Sequence, residues 1–365
     1  MPGLKEYALN GKKVTPDEFV ELMKDRQQYF HDNDIHPSEL SLYPEAEFTL
    51  VHRTLLAKLD DQQIPEGEES TPIDAYYKLQ PFAIRQICNR LEIPTHFFIR
   101  CRKSKTSKGD RLDAHFDEWI SRCDRQKNWF IRFDNYSGEE EIRAVLTSRY
   151  DTCSNLEIAE MIADDLPNKN DYQIRFEWTS PALYGQIVSD TKVRTLANGQ
   201  EIKGGIRFKN SEVGFGSIAL EMLVLCEAIS TGPILPGYVG IRRAHLRRKT
   251  ELRVEFKSAV EQLLEDMDKA LDTVEATQKI ILQDVDEFLE TLFLVHKLDN
   301  GQIEAVMETA AMSPIKTLYD AVSMFSVAGT DPGLNVERRE KLQRVSGELV
   351  HSMKKYGRWI APNKV

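Results

Sequence analysis

Asn210, Ser211, Glu212, Gly214 and Gly216 form the densest cluster of chemistry-bearing residues in the chain. A carboxylate among small polar side chains and glycines suits general acid–base work, or close backbone approach to a phosphate. With Ala219, the two glycines also satisfy the loose dinucleotide pattern G-x-G-x-x-A. That pattern needs a helix opening inside it and an acidic residue about 20 positions further on. No Asp or Glu stands between Glu227 and Glu251, and the preceding segment reads as the return strand of a hairpin. A nucleotide fold is therefore not expected. The plainer reading is a glycine-rich strand connection in which Asn210 and Ser211 bond to turn backbone.

Other chemistry finds little support. His31, Asp32, Asp34 and His36 are ligand-type residues, but their spacing fits no standard metal site, and the stretch reads as a polar helix end. His96, His115 and His245 are isolated, and no G-x-S-x-G, Walker lysine motif or H-E-x-x-H occurs. Cys226 sits in an apolar run, which favours a buried, inert thiol. The five cysteines, odd in number and without a C-x-x-C pair, point to reduced thiols and a cytoplasmic setting. No catalytic residue, metal or cofactor is expected. The sequence reads as a binding protein rather than an enzyme.

Binding chemistry is better represented. The net charge is -10, which at first argues against a nucleic-acid partner. Counted by region, residues 1–80 carry -8 and residues 250–297 carry -7, while residues 81–150 carry +4 and 151–249 are neutral. Two basic clusters lie in that middle part. Arg100, Arg102, Lys103, Lys105, Lys108 and Arg111 form the first, and Arg242, Arg243, Arg247, Arg248 and Lys249 the second. Local clusters, not the total, set the field that a phosphate backbone meets. Trp119 and Phe130 are candidates for stacking on unpaired bases, whereas Trp129 and Phe133 alternate as core-facing strand residues.

The elements that must position these groups follow from periodicity. Thr15, Pro16 and Glu18 predict a capped helix within 12–30, and a second helix is expected at 80–92 before Pro94. Residues 60–74 read as an acidic linker and 102–109 as a Lys/Ser-rich loop. Alternation predicts strands at 128–134 and 172–178, with a helix at 154–164 between them. Asn198-Gly199 predicts a hairpin joining 182–196 to 200–209, and 217–226 fits a strand or a buried helix. From Ile241 to Asn300 there is no glycine or proline, and apolar residues recur at three and four. That rhythm predicts one long amphipathic helix, or two nearly collinear ones, able to pack on the sheet or to self-associate. Helices at 302–325 and 335–356 follow. The expected fold class is α+β: an antiparallel sheet decorated with helices, followed by a long helix and an all-helical C-terminal third. The expected division is an acidic region with linker (1–80), an α+β core (81–249) and a helical region (250–365). No apolar run reaches the roughly 18 to 20 residues of a membrane span, and the first residues, Met1 to Glu6, are not expected to be a leader.

Four stretches carry a resemblance. Phe82 to Pro94, Arg143 to Tyr150 with Asn155 and Leu156, Gly205 to Gly216, and Thr317 to Val322 match, in order, motifs of the phage/plasmid-like proteins grouped under a bacterial and phage domain of unknown function. The Asn210-Ser211-Glu212-Val213-Gly214 stretch resembles that family's hallmark. Cys226 is followed by Glu227 and Ala228 where the family has an Asn-Gly pair. The resemblance covers about residues 75–350 and implies phage or mobile-element genomes, a bacterial cytoplasm and no known cofactor. Joined to the basic clusters, it predicts a non-catalytic, phage-type DNA-transaction protein that binds single-stranded DNA, promotes annealing or recombination, and forms a homo-oligomer. Two alternatives stand beside it. One is a structural protein that binds a host or phage protein through the acidic segment 250–297. The other is an enzyme acting on nucleotides or nucleic acid through Glu212.

Overall fold

The computed structural model describes residues 12–42, 49–52, 75–103, 115–116, 118–120, 122, 127–150, 153–227, 231–244, 249–351 and 353–360. The expected linker at 60–74 and most of the Lys/Ser-rich stretch lie outside them. The chain is α+β, as expected, but among the described residues the strands form two six-stranded sheets rather than one.

The first sheet contains β1 (Lys13–Val14), β8 (Tyr172–Trp178), β9 (Leu183–Thr195), β10 (Glu201–Asn210), β11 (Ile218–Cys226) and β12 (Ile234–Arg243), hydrogen-bonded in that order and antiparallel throughout. The Asn198-Gly199 turn does join β9 to β10, with Gly199 at φ 80°. Residues 217–226 resolve as a strand, because alternation places Leu220, Met222 and Val224 opposite Phe208, Ile206 and Gly204.

The second sheet, in the order β2-β6-β7-β5-β4-β3, contains β2 (Phe30–Ile35), β3 (Leu40–Leu42), β4 (Thr49–His52), β5 (Ala75–Leu79), β6 (Trp129–Asp134) and β7 (Glu141–Thr147). It is mixed, with β5 and β7 parallel. The polar stretch His31 to His36 is thus not a helix end: His31 to Ile35 lie in β2, pairing Phe30 with Asp134 through Ile35 with Trp129. Trp129, Ile131 and Phe133 do share a buried face, packed by α2 (Pro81–Arg90) and α3 (Thr95–Lys103).

Helix α1 (Pro16–Gln27) begins with the expected capping box between Thr15 and Glu18. Its Phe19 packs on Phe176 and Phe208, so α1 covers the apolar face of the first sheet. Helix α4 (Asn155–Asp165) carries a second capping box, Ser154 with Glu157, and packs beside it.

The helical stretch after Ile241 departs from expectation. It forms α5 (Lys249–Glu265) and α6 (Met267–Ala276), then breaks before α7 (Val285–Val295). At the break Ile280 is extended, and Ile281 and Leu282 bridge to Thr317 and Ile360. Tertiary pairing wins there over helix propensity. Phe256, Val260, Leu263, Met267, Ala270 and Val274 are all buried in the core formed with the first sheet. At roughly 2 kcal/mol for each larger side chain, burial settles this face on the sheet rather than on a second helix. The helix expected at 302–325 is two, α8 (Asn300–Met312) and α9 (Leu318–Ala328), separated at Ser313-Pro314 because proline lacks the N–H that would continue the turn.

Helix α10 (Val336–His351) covers the opposite face of the first sheet at β11 and β12. It approaches so closely that a Cβ on Gly347 would lie 1.8 Å from the Ile234 carbonyl oxygen. Gly347→Ala must therefore lift α10 from β12. The expected loss is about 1–3 kcal/mol, read as a lower urea midpoint, with Gly357→Ala, where nothing lies within 4 Å, unchanged as the control.

Candidate functional site

Strand β10 ends at Asn210, and the turn 211–217 leads into β11. This turn inserts between the two sheets. Asn210 donates from Nδ2 to Asn155 Oδ1 at 2.8 Å and to the Cys153 carbonyl at 3.1 Å. Ser211 Oγ donates to the Pro181 carbonyl at 2.7 Å and accepts the Phe215 N–H at 2.9 Å. Tyr150 Oη donates to the Ser211 carbonyl at 2.7 Å and accepts the Gly214 N–H at 3.1 Å. Gln86 of α2 donates to the Val213 carbonyl at 2.7 Å while accepting the Val145 N–H at 2.8 Å.

Glu212 is the electrostatic centre of this joint, at 2% exposure. Oε2 accepts from Arg143 Nη2 at 2.7 Å, and Oε1 accepts the Asn155 N–H at 2.8 Å. Arg132 donates to the Glu212 backbone carbonyl at 2.6 Å and to Asp32 at 2.8 Å. The carboxylate thus sits at the N-terminus of α4, where the helix dipole favours negative charge. Burial works to raise its pKa, but the Arg143 and Arg132 guanidinium groups and the Asn155 N–H hold it below the usual range. Both oxygens are committed to the protein itself. The chemistry foreseen for Glu212 therefore takes the form of an internal anion that ties the sheets together.

The outer rim of the turn is different. Gly214 and Gly216 are exposed, and Phe82, Phe130, Tyr150 and Phe215 stand half-buried around Ala144, Leu146 and Val213. Phe82 and Phe215 meet edge to face at 5.5 Å. Lys209 Nζ lies 4.8 Å from the Tyr184 ring centre and 5.3 Å from that of Phe215. Burial pulls its pKa down; Glu340 and Glu337 act on it only through space, and among the described residues no carboxylate lies in ion-pair contact with it. Arg85, one turn along α2 from Phe82, and Arg149, beside Tyr150, are exposed. Gly214, at φ 78°, already occupies backbone that other residues rarely adopt.

The basic clusters fare unevenly. Arg100 and Lys103 are exposed on α3, whereas Arg102 is buried. Arg242 has 63% of its side chain exposed, with Glu221 at 3.9 Å, and Arg243 is held between Glu251 at 3.4 Å and Glu255 at 2.7 Å. Lys105, Lys108, Arg111, His245, Arg247 and Arg248 lie outside the described residues, as does the side chain of Lys249, which opens α5. Trp129 and Phe133 are core residues, Phe130 faces the rim, and Trp119 packs against the second sheet's core. Part of the acidic segment is engaged within the chain: Asp268 and Asp272, both exposed, pair with Lys192 and Arg194 of β9.

Sequence reasoning missed Lys209, Phe215, Tyr150, Phe82, Arg85 and Arg149 as a surface. A signal existed, since the stretches beginning at Phe82, Arg143 and Gly205, noted separately, meet at this joint through Gln86, Arg143, Tyr150 and Glu212. Among the described residues no three His, Cys, Asp or Glu side chains are grouped to hold a metal ion, and no helix is long and apolar enough to cross a membrane. No family model matches the chain, and no curated protein sequence or solved structure does.

Proposed function

We propose that the chain is a phage-type DNA-transaction protein that binds single-stranded DNA without chemistry of its own and serves annealing or recombination. The observation that carries this reading is the rim: four half-buried aromatic rings around Ala144, Leu146 and Val213, with Lys209 against Phe215, Gly214 and Gly216 exposed in the same turn, and Arg85 and Arg149 exposed near Phe82 and Tyr150 in sequence. Cations neutralise phosphates, and aromatic faces stack on unpaired bases of any sequence. Arg100, Lys103 and Arg242, all exposed, would extend the cationic surface. In this reading the protein acts as a homo-oligomer in a bacterial cytoplasm, with Lys105, Arg247, Arg248 and Lys249 as further phosphate contacts, while Arg102 is buried and Arg243 is paired with Glu251 and Glu255.

The test is fluorescence anisotropy of a labelled oligo-dT over a salt series. Binding at low salt is expected, with log affinity falling on log salt at a slope between about -2, the value if Lys209, Arg85 and Arg149 alone contact phosphates, and about -4 if Arg100, Lys103 and Arg242 contact them as well. Absence of binding at low salt, or equal affinity for a duplex of the same length, overturns the proposal.

A further inference from the structure

Along β10, Lys203, Gly205, Arg207 and Lys209 alternate onto the face that α10 covers in part. Arg207 is neutralised there by Glu340 at 3.0 Å. Lys209, two residues nearer the turn, has no such partner among the described residues and is held by two aromatic rings instead. A half-buried ammonium with no carboxylate in contact, Glu340 and Glu337 reaching it only through space, is a favourable place for an external anion, because its desolvation is already met by the fold. Phe215 offers its ring beside that cation, and Gly216 follows it.

Gly216 is exposed, and its backbone lies outside the left-handed region. A Cβ there would meet only Lys209, at 3.6 Å from Cε and 3.7 Å from Nζ. Neither conformation nor crowding requires glycine at this position. What glycine does provide is open access to the ammonium.

Building on the single-strand reading, we propose that Lys209, Phe215 and Gly216 form the seat for one nucleotide. The phosphate rests against Lys209 Nζ, the base stacks on Phe215, and Gly216 leaves the approach open. The ligand class is a phosphodiester-linked nucleotide with an unpaired base.

The full chain is titrated with labelled oligo-dT and with an abasic deoxyribose-phosphate strand of equal length. Wild-type protein is expected to prefer oligo-dT by roughly 5- to 100-fold, the range that one stacked base supplies. Phe215→Leu should remove that preference while leaving abasic-strand binding unchanged. Lys209→Met should weaken both strands about tenfold and flatten the salt slope by about 0.7. Gly216→Leu should act like Lys209→Met without altering the thermal midpoint, which keeps the test readable if Lys209→Met loosens the α10 face. A wild-type preference for oligo-dT that Phe215→Leu retains, with both affinities unchanged in Lys209→Met and Gly216→Leu, places the seat elsewhere and overturns this inference, leaving the single-strand reading intact. Equal wild-type binding of both strands removes the stacking role. Binding of neither strand overturns the reading itself.

Discussion

Glu212→Gln is expected to lower the unfolding free energy by about 3–5 kcal/mol, the usual consequence of removing one partner from a buried ion pair. The amide keeps the volume of the carboxylate but not its charge. Arg143, at 4% exposure, then loses its counter-ion at 2.7 Å, and Arg132, at 2% exposure, keeps Asp32 and the backbone carbonyl of position 212 but loses the nearby carboxylate charge. The substituted side chain would also offer a weaker acceptor to the Asn155 N–H at the start of α4. Urea unfolding followed by far-ultraviolet circular dichroism gives the measurement. Arg143→Met should cost a comparable amount, and the double variant clearly less than the two combined, because the second change removes a charge that the first left unpaired. Full additivity would mean that Glu212 and Arg143 do not stabilise the fold as a pair.

The second large effect lies on the α10 side of the first sheet. Glu340 accepts from Arg207 at 3.0 Å and from Arg344 at 2.6 Å, and Arg344 in turn grips Glu221 at 2.7 and 2.5 Å. Burial pushes the Glu340 carboxyl up, but Arg207 and Arg344 outweigh it and hold the pKa at about 2, against an ordinary 4.5. A folded-state value below the unfolded one stabilises the native state above pH 4.5. That contribution disappears as the pH falls toward about 2. The difference corresponds to roughly 3 kcal/mol. Glu340→Gln is thus expected to lower the urea midpoint strongly at neutral pH, and the gap from wild type should close on acidification through that window. A gap that stays constant with pH would show that the carboxylate's charge is not what joins α10 to β10 and β11.

Both effects involve contacts that local sequence does not reveal. The elements themselves were largely legible. Thr15 with Glu18 and Asn198-Gly199 are short-range devices, and each formed as its pattern dictated. The alternation of Trp129, Ile131 and Phe133 likewise identified a strand and its buried face. The assembly of strands into two sheets was not legible, because alternation says that one face is buried without saying against what. The stretch after Ile241 failed for a related reason: its apolar rhythm continues through residues 277–284, but pairing of Ile281 with Thr317 and Leu282 with Ile360 overrides it.

The candidate site divides in the same way. The sequence by itself determined that Asn210 to Gly216 is a polar, glycine-bearing strand connection within a neutral-to-basic middle region. Local residue types and period suffice for that much. Only the tertiary structure decided that Glu212 faces inward to Arg143, 69 positions away, and that Lys209 faces the rim without a carboxylate while Arg207 meets Glu340, 133 positions away. Charge pairing depends on distance in space, and a chain that folds back on itself through two sheets sets those distances without leaving a local pattern.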